Sequence, residues 1–396
     1  MGLSVYIHLP WCVHKCPYCD FNSYAATDFP QHRYTETLIR ELAHARDSSP
    51  WAGRKIATVF FGGGTPSLFG AASFERVLAQ LDAAFGIAPG AEITIEANPG
   101  TLEGSAAEQL RAFRSAGINR ISLGGQSFNA RHLETLGRIH SAADTLQALE
   151  ASSQAGFERV SCDLMFAVPG QTLSEWQSDL RTLIDSGPGH VSAYNLTYEP
   201  GTAMTGMKEA GLIEAVGEEL ELEMFHCAAE LLGNAGYRHY EISNYALPDH
   251  QSRHNLAYWN WQDYLGLGAG AHGFAASDHT TANEADNSND ASWGTRYANL
   301  RVPELYMSAA DGCWAASTET LSREMAVAEY LMMGLRLIDG VDLHDFERRF
   351  GTTLERSVPA AAELCRSAML VNDADRLRLS SRGLELADEV IARLVA

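Results

Sequence analysis

The 396-residue sequence predicts an α/β protein, a partial (β/α)6 barrel followed by a small, mostly helical and winged-helix-like C-terminal module. Six short apolar runs alternate with helical segments up to about Thr197, the pattern of repeated βα units around a parallel sheet. Most of those runs are apolar on both faces, as strands buried between helices are. From about Glu319 the alternation gives way to closely spaced helical patterns around one short β-like run, Leu377-Arg378-Leu379.

The strands are expected at residues 5–9, 57–61, 92–95, 120–123, 159–164 and 191–196. Between them, Ser105-x-x-Glu108, Ser141-x-x-Asp144 and Thr172-x-x-Glu175 read as capping boxes that start helices. Gly117, Gly156 and Gly187 stand where left-handed C-terminal caps stop them. Beyond Gly201, residues 209–233 read as one long helix, 237–261 as an aromatic-rich stretch, and 276–292 as a solvated or mobile polar loop. Helical patterns at 325–337, 343–350, 354–368 and 383–395 complete the chain. The expected division is a barrel core over 1–200, an extension over 201–318 and a C-terminal module over 319–396.

With 46% hydrophobic and 20% charged residues, the chain can bury a large core. Its 29 Lys and Arg against 50 Asp and Glu give a net charge of −21, which repels phosphate backbones and argues against a nucleic-acid partner. Seven cysteines, an odd number, with no charged-then-apolar leader before the first of them, point to reduced thiols in the cytoplasm. No apolar run is long enough to span a bilayer, so no membrane anchor of its own is expected.

Three of those cysteines share one loop, Cys12-Val-His-Lys-Cys16-Pro-Tyr-Cys19. A closed zinc site wants four protein ligands and a plain four-iron cluster wants four cysteines, so three thiolates suggest a metal centre with one position open. The competing reading is a Cys3His zinc site completed by His8 or His14. Gly62-Gly63-Gly64-Thr65-Pro66-Ser67 follows the second strand at the end where barrel enzymes place reactive loops. Three glycines allow close backbone approach to a polar ligand, although a tight turn with no ligand would need them too. Glu96, Gln126 and Asp163 lie at or near the ends of three different strands and are expected to converge on one mouth.

A second cluster is Arg253-His254-Asn255-Leu256-Ala257-Tyr258-Trp259, with Trp261 and Tyr264 close behind. An imidazole among flat aromatic faces suits an axial ligand in an apolar haem pocket, and Arg253 could meet a propionate. A packed, hydrogen-bonded histidine is the alternative. Gly266-Leu-Gly268-Ala-Gly270 lacks the strand-then-helix context of a dinucleotide site. His140 and His272 have no metal-binding spacing, and Cys162, Cys227, Cys313 and Cys365 read as buried small hydrophobes.

The cysteine loop and the glycine run resemble the radical S-adenosylmethionine (SAM) superfamily. Tyr-Ile-His-Leu-Pro-x-Cys ending at Cys12, the glycine run to Ser67, Ser-Leu-Gly-Gly-Gln-Ser-Phe from Ser122 and Asp-Leu-Met-Phe-Ala-Val-Pro-Gly-Gln-Thr from Asp163 narrow it. Across nearly the whole chain they are similar to the oxygen-independent coproporphyrinogen III oxidase group and, within it, to HemW-type haem chaperones. The resemblance implies a radical-SAM barrel in which Cys12, Cys16 and Cys19 hold a [4Fe-4S] cluster and S-adenosyl-L-methionine chelates the fourth iron. It implies cofactor contacts from Tyr6, Tyr18, Gly63, Gly64, Thr65, Glu96, Gln126, Arg138, Asp163 and Thr197, and a haem contact from His254 in the His-Asn-x-x-Tyr-Trp pattern.

The function implied is haem carriage to a haem-accepting protein, membrane-bound in the resembling family. The rival is radical decarboxylation of coproporphyrinogen III. Where the oxidase branch has a further cysteine two residues after the third, this chain has Phe21, and no long extension precedes its cysteine loop. Both departures favour the chaperone branch. Position 167 is Ala where Gly is more familiar.

Overall fold

The computed structural model describes residues 2–47, 50–102, 106–277, 292–373 and 375–395. All six expected strands form, and they pair parallel in chain order: β1 (Leu3–Leu9), β2 (Ile56–Gly63), β3 (Ile87–Ala97), β4 (Arg120–Gln126), β5 (Arg159–Phe166) and β6 (His190–Asn195). Each is followed by a helix: α1 (Gln31–Asp47), α2 (Ala71–Phe85), α3 (Ala106–Ser115), α4 (Ala142–Gln154), α5 (Leu173–Ser186) and α6 (Glu218–Asn234). Val5, Ile7, Val59, Ile95, Ile121 and Leu164 are essentially inaccessible, which is why these strands read as nearly continuous apolar runs.

The helix starts follow their capping chemistry. Ser141 with Asp144 and Thr172 with Glu175 form reciprocal capping boxes, while Ser105 lies outside the described residues. Gly187 closes α5 in the left-handed region at φ 70° and ψ 31°. On α5, Trp176 is fully buried and its indole N–H donates to the Met224 carbonyl of α6 at 2.9 Å. Burying a side chain of this size stabilises the layer by roughly 1.5–3 kcal/mol.

The extension widens the same sheet on both sides. β7 (Arg238–Glu241) and β8 (Asn244–Ala246) fold antiparallel onto β6. Beyond β1 come β9 (Tyr264–Leu267), β10 (His272–Ala276), β11 (Gly294–Asn299) and β12 (Ala315–Thr320). The order is β12-β11-β10-β9-β1-β2-β3-β4-β5-β6-β8-β7, with β9 parallel to β1. Thus a seventh parallel strand comes from the glycine-rich run after Tyr264. A side chain at Gly266 would fall 1.8 Å from the His272 carbonyl oxygen, so glycine there lets β10 fold back tightly.

Three expectations are corrected. The long helix over 209–233 is two helices, Ala203–Glu209 and α6, because Gly211 turns the chain at φ 68°. The 354–368 pattern splits into Leu354–Ser357 and Ala360–Arg366, on either side of Pro359. Cys162 and Cys227 are buried as expected, but Cys313 is exposed and Cys365 only half-buried. Most of the polar stretch, residues 278–291, lies outside the described residues.

A short helix, α7 (Arg253–Trp259), precedes β9, and α8 (Arg323–Gly334) opens the C-terminal module. There, short helices surround a three-stranded sheet of β13 (Val341–Asp342), β14 (Leu370–Asp373) and β15 (Arg376–Leu379), ordered β13-β15-β14. Leu331, Phe346 and Leu377 form a core into which Trp261, Phe274 and Trp293 also pack. Among the described residues no helix is long and apolar enough to cross a membrane.

Candidate functional site

Parallel strands bring their C-terminal ends to one edge, and the residues singled out from the sequence gather along it. In register, Leu9 pairs with Gly63, Glu96 with Ser122, and Asp163 with Ser192. Gln126 ends β4 with a left-handed φ of 66°, after a break in the β4–β5 register. A side chain there costs about 1–2 kcal/mol of backbone strain, which a turn at a functional edge can retain. Thr197 lies exposed just beyond β6.

Two-residue strands, Trp11–Cys12 and Tyr24–Ala25, clasp the base of the cysteine loop, with Ala26 N–H donating to the Cys12 carbonyl at 2.8 Å. Inside it, Lys15 Nζ donates to the carbonyls of Phe21 at 3.0 Å and Ser23 at 3.2 Å. All three thiols are free and half-buried, and burial pushes Cys12 and Cys19 up from their ordinary values. Arg138 sets a guanidinium against Cys16, while the Lys15 charge acts on Cys19. Arg138 Nη1 lies 3.4 Å from Cys16 Sγ, Nη2 donates to the Gly124 carbonyl at 2.9 Å, and its buried Nε has no partner among the described residues. Tyr18 lies near enough to Arg138, Cys16 and Cys19 for all three to shift its hydroxyl, whose value burial raises most.

The donor set, three free thiols from one loop with a guanidinium at one sulfur, fits an iron–sulfur cluster, whose cysteine ligands each take a separate iron. His8 cannot complete a zinc site as folded. Its Nε2 lies 2.8 Å from the Asn22 carbonyl, which only accepts, so Nε2 carries the proton and Nδ1 accepts from the Tyr6 hydroxyl at 2.9 Å.

The glycine turn is held against this loop. Gly64 N–H donates to the Leu9 carbonyl at 2.8 Å and Thr65 N–H to the Trp11 carbonyl at 2.7 Å. A side chain at Gly64 would meet the Trp11 carbonyl oxygen at 2.5 Å, and one at Gly63, where φ is 115°, would meet the His8 ring at 2.5 Å. The glycines are therefore required by the approach of the protein's own chain. Glu96 accepts the Gly63 N–H at 3.0 Å. Burial, then nearby Asp163, raise its pKa to about 7 despite that bond. Asp163 is raised to about 6 by burial, opposed by hydrogen bonds from Ser192 and Ser122 and by the charges of Arg138 and Arg120.

His254 is 1% exposed, and both its nitrogens are engaged, Nδ1 with Thr58 Oγ1 and Nε2 with the Tyr258 hydroxyl, each at 2.8 Å. Its ring stacks on Phe60 with centroids 5.1 Å apart, and burial pushes its pKa down to about 3. As folded, both ring nitrogens are engaged, the packed and hydrogen-bonded arrangement that was the alternative to a haem ligand. Tyr258, one helical turn on, does line a cavity of about 710 Å³. That cavity reaches from Tyr6, Gly63 and Glu96 at the strand edge to Trp259, Trp261 and Phe274.

Residues 6–183 match the Radical SAM superfamily and residues 321–386 the HemN C-terminal domain. The chain is 35% identical to the heme chaperone HemW of Haemophilus influenzae, covering 98% of this chain and 97% of that one. With HemW of Lactococcus lactis it shares 33% identity over 99% of this chain and 97% of that one. The chain belongs to the HemW family. The zebrafish (Danio rerio) mitochondrial radical S-adenosyl methionine domain-containing protein 1 is also similar, at 34% identity over 99% of this chain and 86% of that one. Coproporphyrinogen III oxidase (HemN) of Escherichia coli shares the fold, with a TM-score of 0.80 over 100% of this chain and 90% of that one at 20% identity.

Against this HemW-family background, sequence reasoning passed over Ser122 and Ser192, which hold Asp163, and three cavity residues, His272, Arg296 and Arg301. The serines left no signal beyond small polar positions in apolar strands. His272 was legible only as an isolated histidine in a glycine-rich run.

Proposed function

We propose that this protein carries haem to an acceptor, using a radical-SAM core built by residues 1–200, with the extension over 201–318 and the module over 319–396 completing the haem side. The observation that carries the reading is one continuous cavity, with the glycine turn at one end and an aromatic box at the other. The HemW names of the relatives support haem as the cargo.

Cys12, Cys16 and Cys19 would hold a [4Fe-4S] cluster, as membership of the superfamily implies, with the fourth iron left to S-adenosylmethionine. When bound, that pair supplies one-electron chemistry at the strand edge. The chain's own residues do the rest. Arg138 places its positive charge beside the Cys16 sulfur. Gly63, Gly64 and Thr65 offer backbone to the methionyl part, and Glu96, Gln126 and Asp163 offer polar atoms to amino and hydroxyl groups. Tyr6, Tyr18 and Thr197 complete the proposed contacts. His254 holds the Tyr258 ring in the cavity wall and acts as a positioning residue. Seven free thiols suit the reducing cytoplasm, and the acceptor is a haem-requiring protein.

The test is anaerobic titration of the reconstituted protein with haemin, beside an assay for coproporphyrinogen III consumption. Saturable haem uptake without propionate-to-vinyl conversion is expected. Efficient decarboxylation without haem uptake would replace carriage with the oxidase reaction.

A further inference from the structure

We infer that the haem iron is taken by His272 and a haem propionate by Arg301, inside the aromatic cavity between α7, α8 and strands β9–β11. This rests on the haem-carrying reading above and deepens it.

Three histidines lie in or behind this region, and they differ in what their rings can do. His8 and His254 have both nitrogens committed, His8 to Tyr6 and Asn22, His254 to Thr58 and Tyr258. His272, the first residue of β10, is exposed on the cavity wall, and among the described residues its ring has no hydrogen-bond partner. A neutral imidazole with a free lone pair is what a haem iron takes. Its partial enclosure in the cavity wall, then the charges of Arg296 and Arg301, hold the His272 pKa below its ordinary value, which favours the neutral ring.

The two arginines are not equivalent. Arg296 is already paired with Glu319 and Glu329. Arg301 makes no ion pair among the described residues, lines the same cavity and lies near enough to His272 to shift it. An unpaired guanidinium beside a ligating imidazole meets the two polar features of haem that an apolar box cannot, the iron and the carboxylates. The box itself comes from Trp259, Trp261, Tyr264 and Phe274, with Met332 and Met333 as adaptable thioethers. At about 710 Å³ the cavity lies within the roughly 300–1,000 Å³ of sites that enclose a flat organic ligand. Phe21, 65% exposed, also lines it and adds an aromatic face where it adjoins the cysteine loop.

The experiment is haemin titration of the anaerobically reconstituted full chain, read by Soret position and Kd, in the wild type, His272→Ala, His272→Gln and Arg301→Glu. Both His272 variants are expected to shift the Soret band and weaken binding at least tenfold, and added imidazole restores the wild-type spectrum to His272→Ala. Arg301→Glu is expected to weaken haemin several-fold while leaving the haemin dimethyl ester within twofold. His272 variants with an unchanged Soret band and Kd would overturn the inference and leave haem carriage standing. A wild type that binds no haemin would remove both.

Discussion

Glu96 Oε2 accepts the backbone N–H of Gly63 at 3.0 Å, so the end of β3 grips the glycine turn that follows β2. Glu96→Gln keeps a carbonyl acceptor for that N–H but loses the charge available to an ammonium or hydroxyl. A charge-assisted hydrogen bond is worth about 1.5–3 kcal/mol. S-adenosylmethionine affinity, measured by anaerobic calorimetry, is therefore expected to fall about tenfold or more in Glu96→Gln, with thermal stability unchanged.

Arg138 approaches the cysteine loop from the segment after β4, with Nη1 3.4 Å from Cys16 Sγ. Positive charge and hydrogen bonding at a cluster sulfur stabilise the reduced state. Arg138→Met, similar in bulk and uncharged, is expected to lower the cluster reduction potential by about 60 mV, the equivalent of about 1.4 kcal/mol for one electron. Redox titration followed by electron paramagnetic resonance checks this; an unchanged potential would mean that the arginine only packs.

Ala167 occupies the left-handed region at φ 59° and is 1% exposed. Ala148, in α4, is similarly buried with ordinary helical geometry. Replacing Ala148 with Gly loses helix propensity and a buried methyl, together roughly 1.5–2 kcal/mol. At Ala167 the same change also relieves about 1–2 kcal/mol of strain. Urea denaturation is expected to show Ala167→Gly less costly than Ala148→Gly by at least about 1 kcal/mol.

Glu41 is buried and accepts hydrogen bonds from the Tyr306 hydroxyl, Asn299 Nδ2 and Gly268 N–H, yet burial pushes its pKa up to about 7. A carboxyl with a raised folded pKa holds its proton more tightly in the native state. Its stabilising effect is complete below about pH 4.5 and is lost as pH rises through about 7. Its share of that loss is up to about 3 kcal/mol. Comparing urea midpoints at pH 5 and pH 7.5, Glu41→Gln is expected to show a smaller fall than the wild type.

The parallel core was legible because its signals are local: runs apolar on both faces, capping boxes at Ser141 and Thr172, and a left-handed glycine at 187. The seventh parallel strand was not, since four residues, Tyr264–Leu267, take their place only by pairing with β1, more than 250 residues away. The three cysteines and the glycine turn announced themselves by spacing. What the spacing did not convey is that the turn's glycines answer to His8 and Trp11. His254 stood out through its aromatic neighbours, but the same neighbours bury it. The partners that occupy its ring are Tyr258, one helical turn away, and Thr58, on a distant strand. The free histidine of the cavity, His272, belongs to a hairpin that no sequence period reveals.

Three thiolates from one loop should leave one iron of the cluster for S-adenosylmethionine, and electron paramagnetic resonance of the reduced, anaerobically reconstituted protein with and without that cofactor tests this most directly. The expected result is a four-iron signal whose line shape changes when S-adenosylmethionine is added, and which Cys16→Ala abolishes. A cluster signal indifferent to S-adenosylmethionine, or a preparation that holds zinc in place of iron, would contradict it.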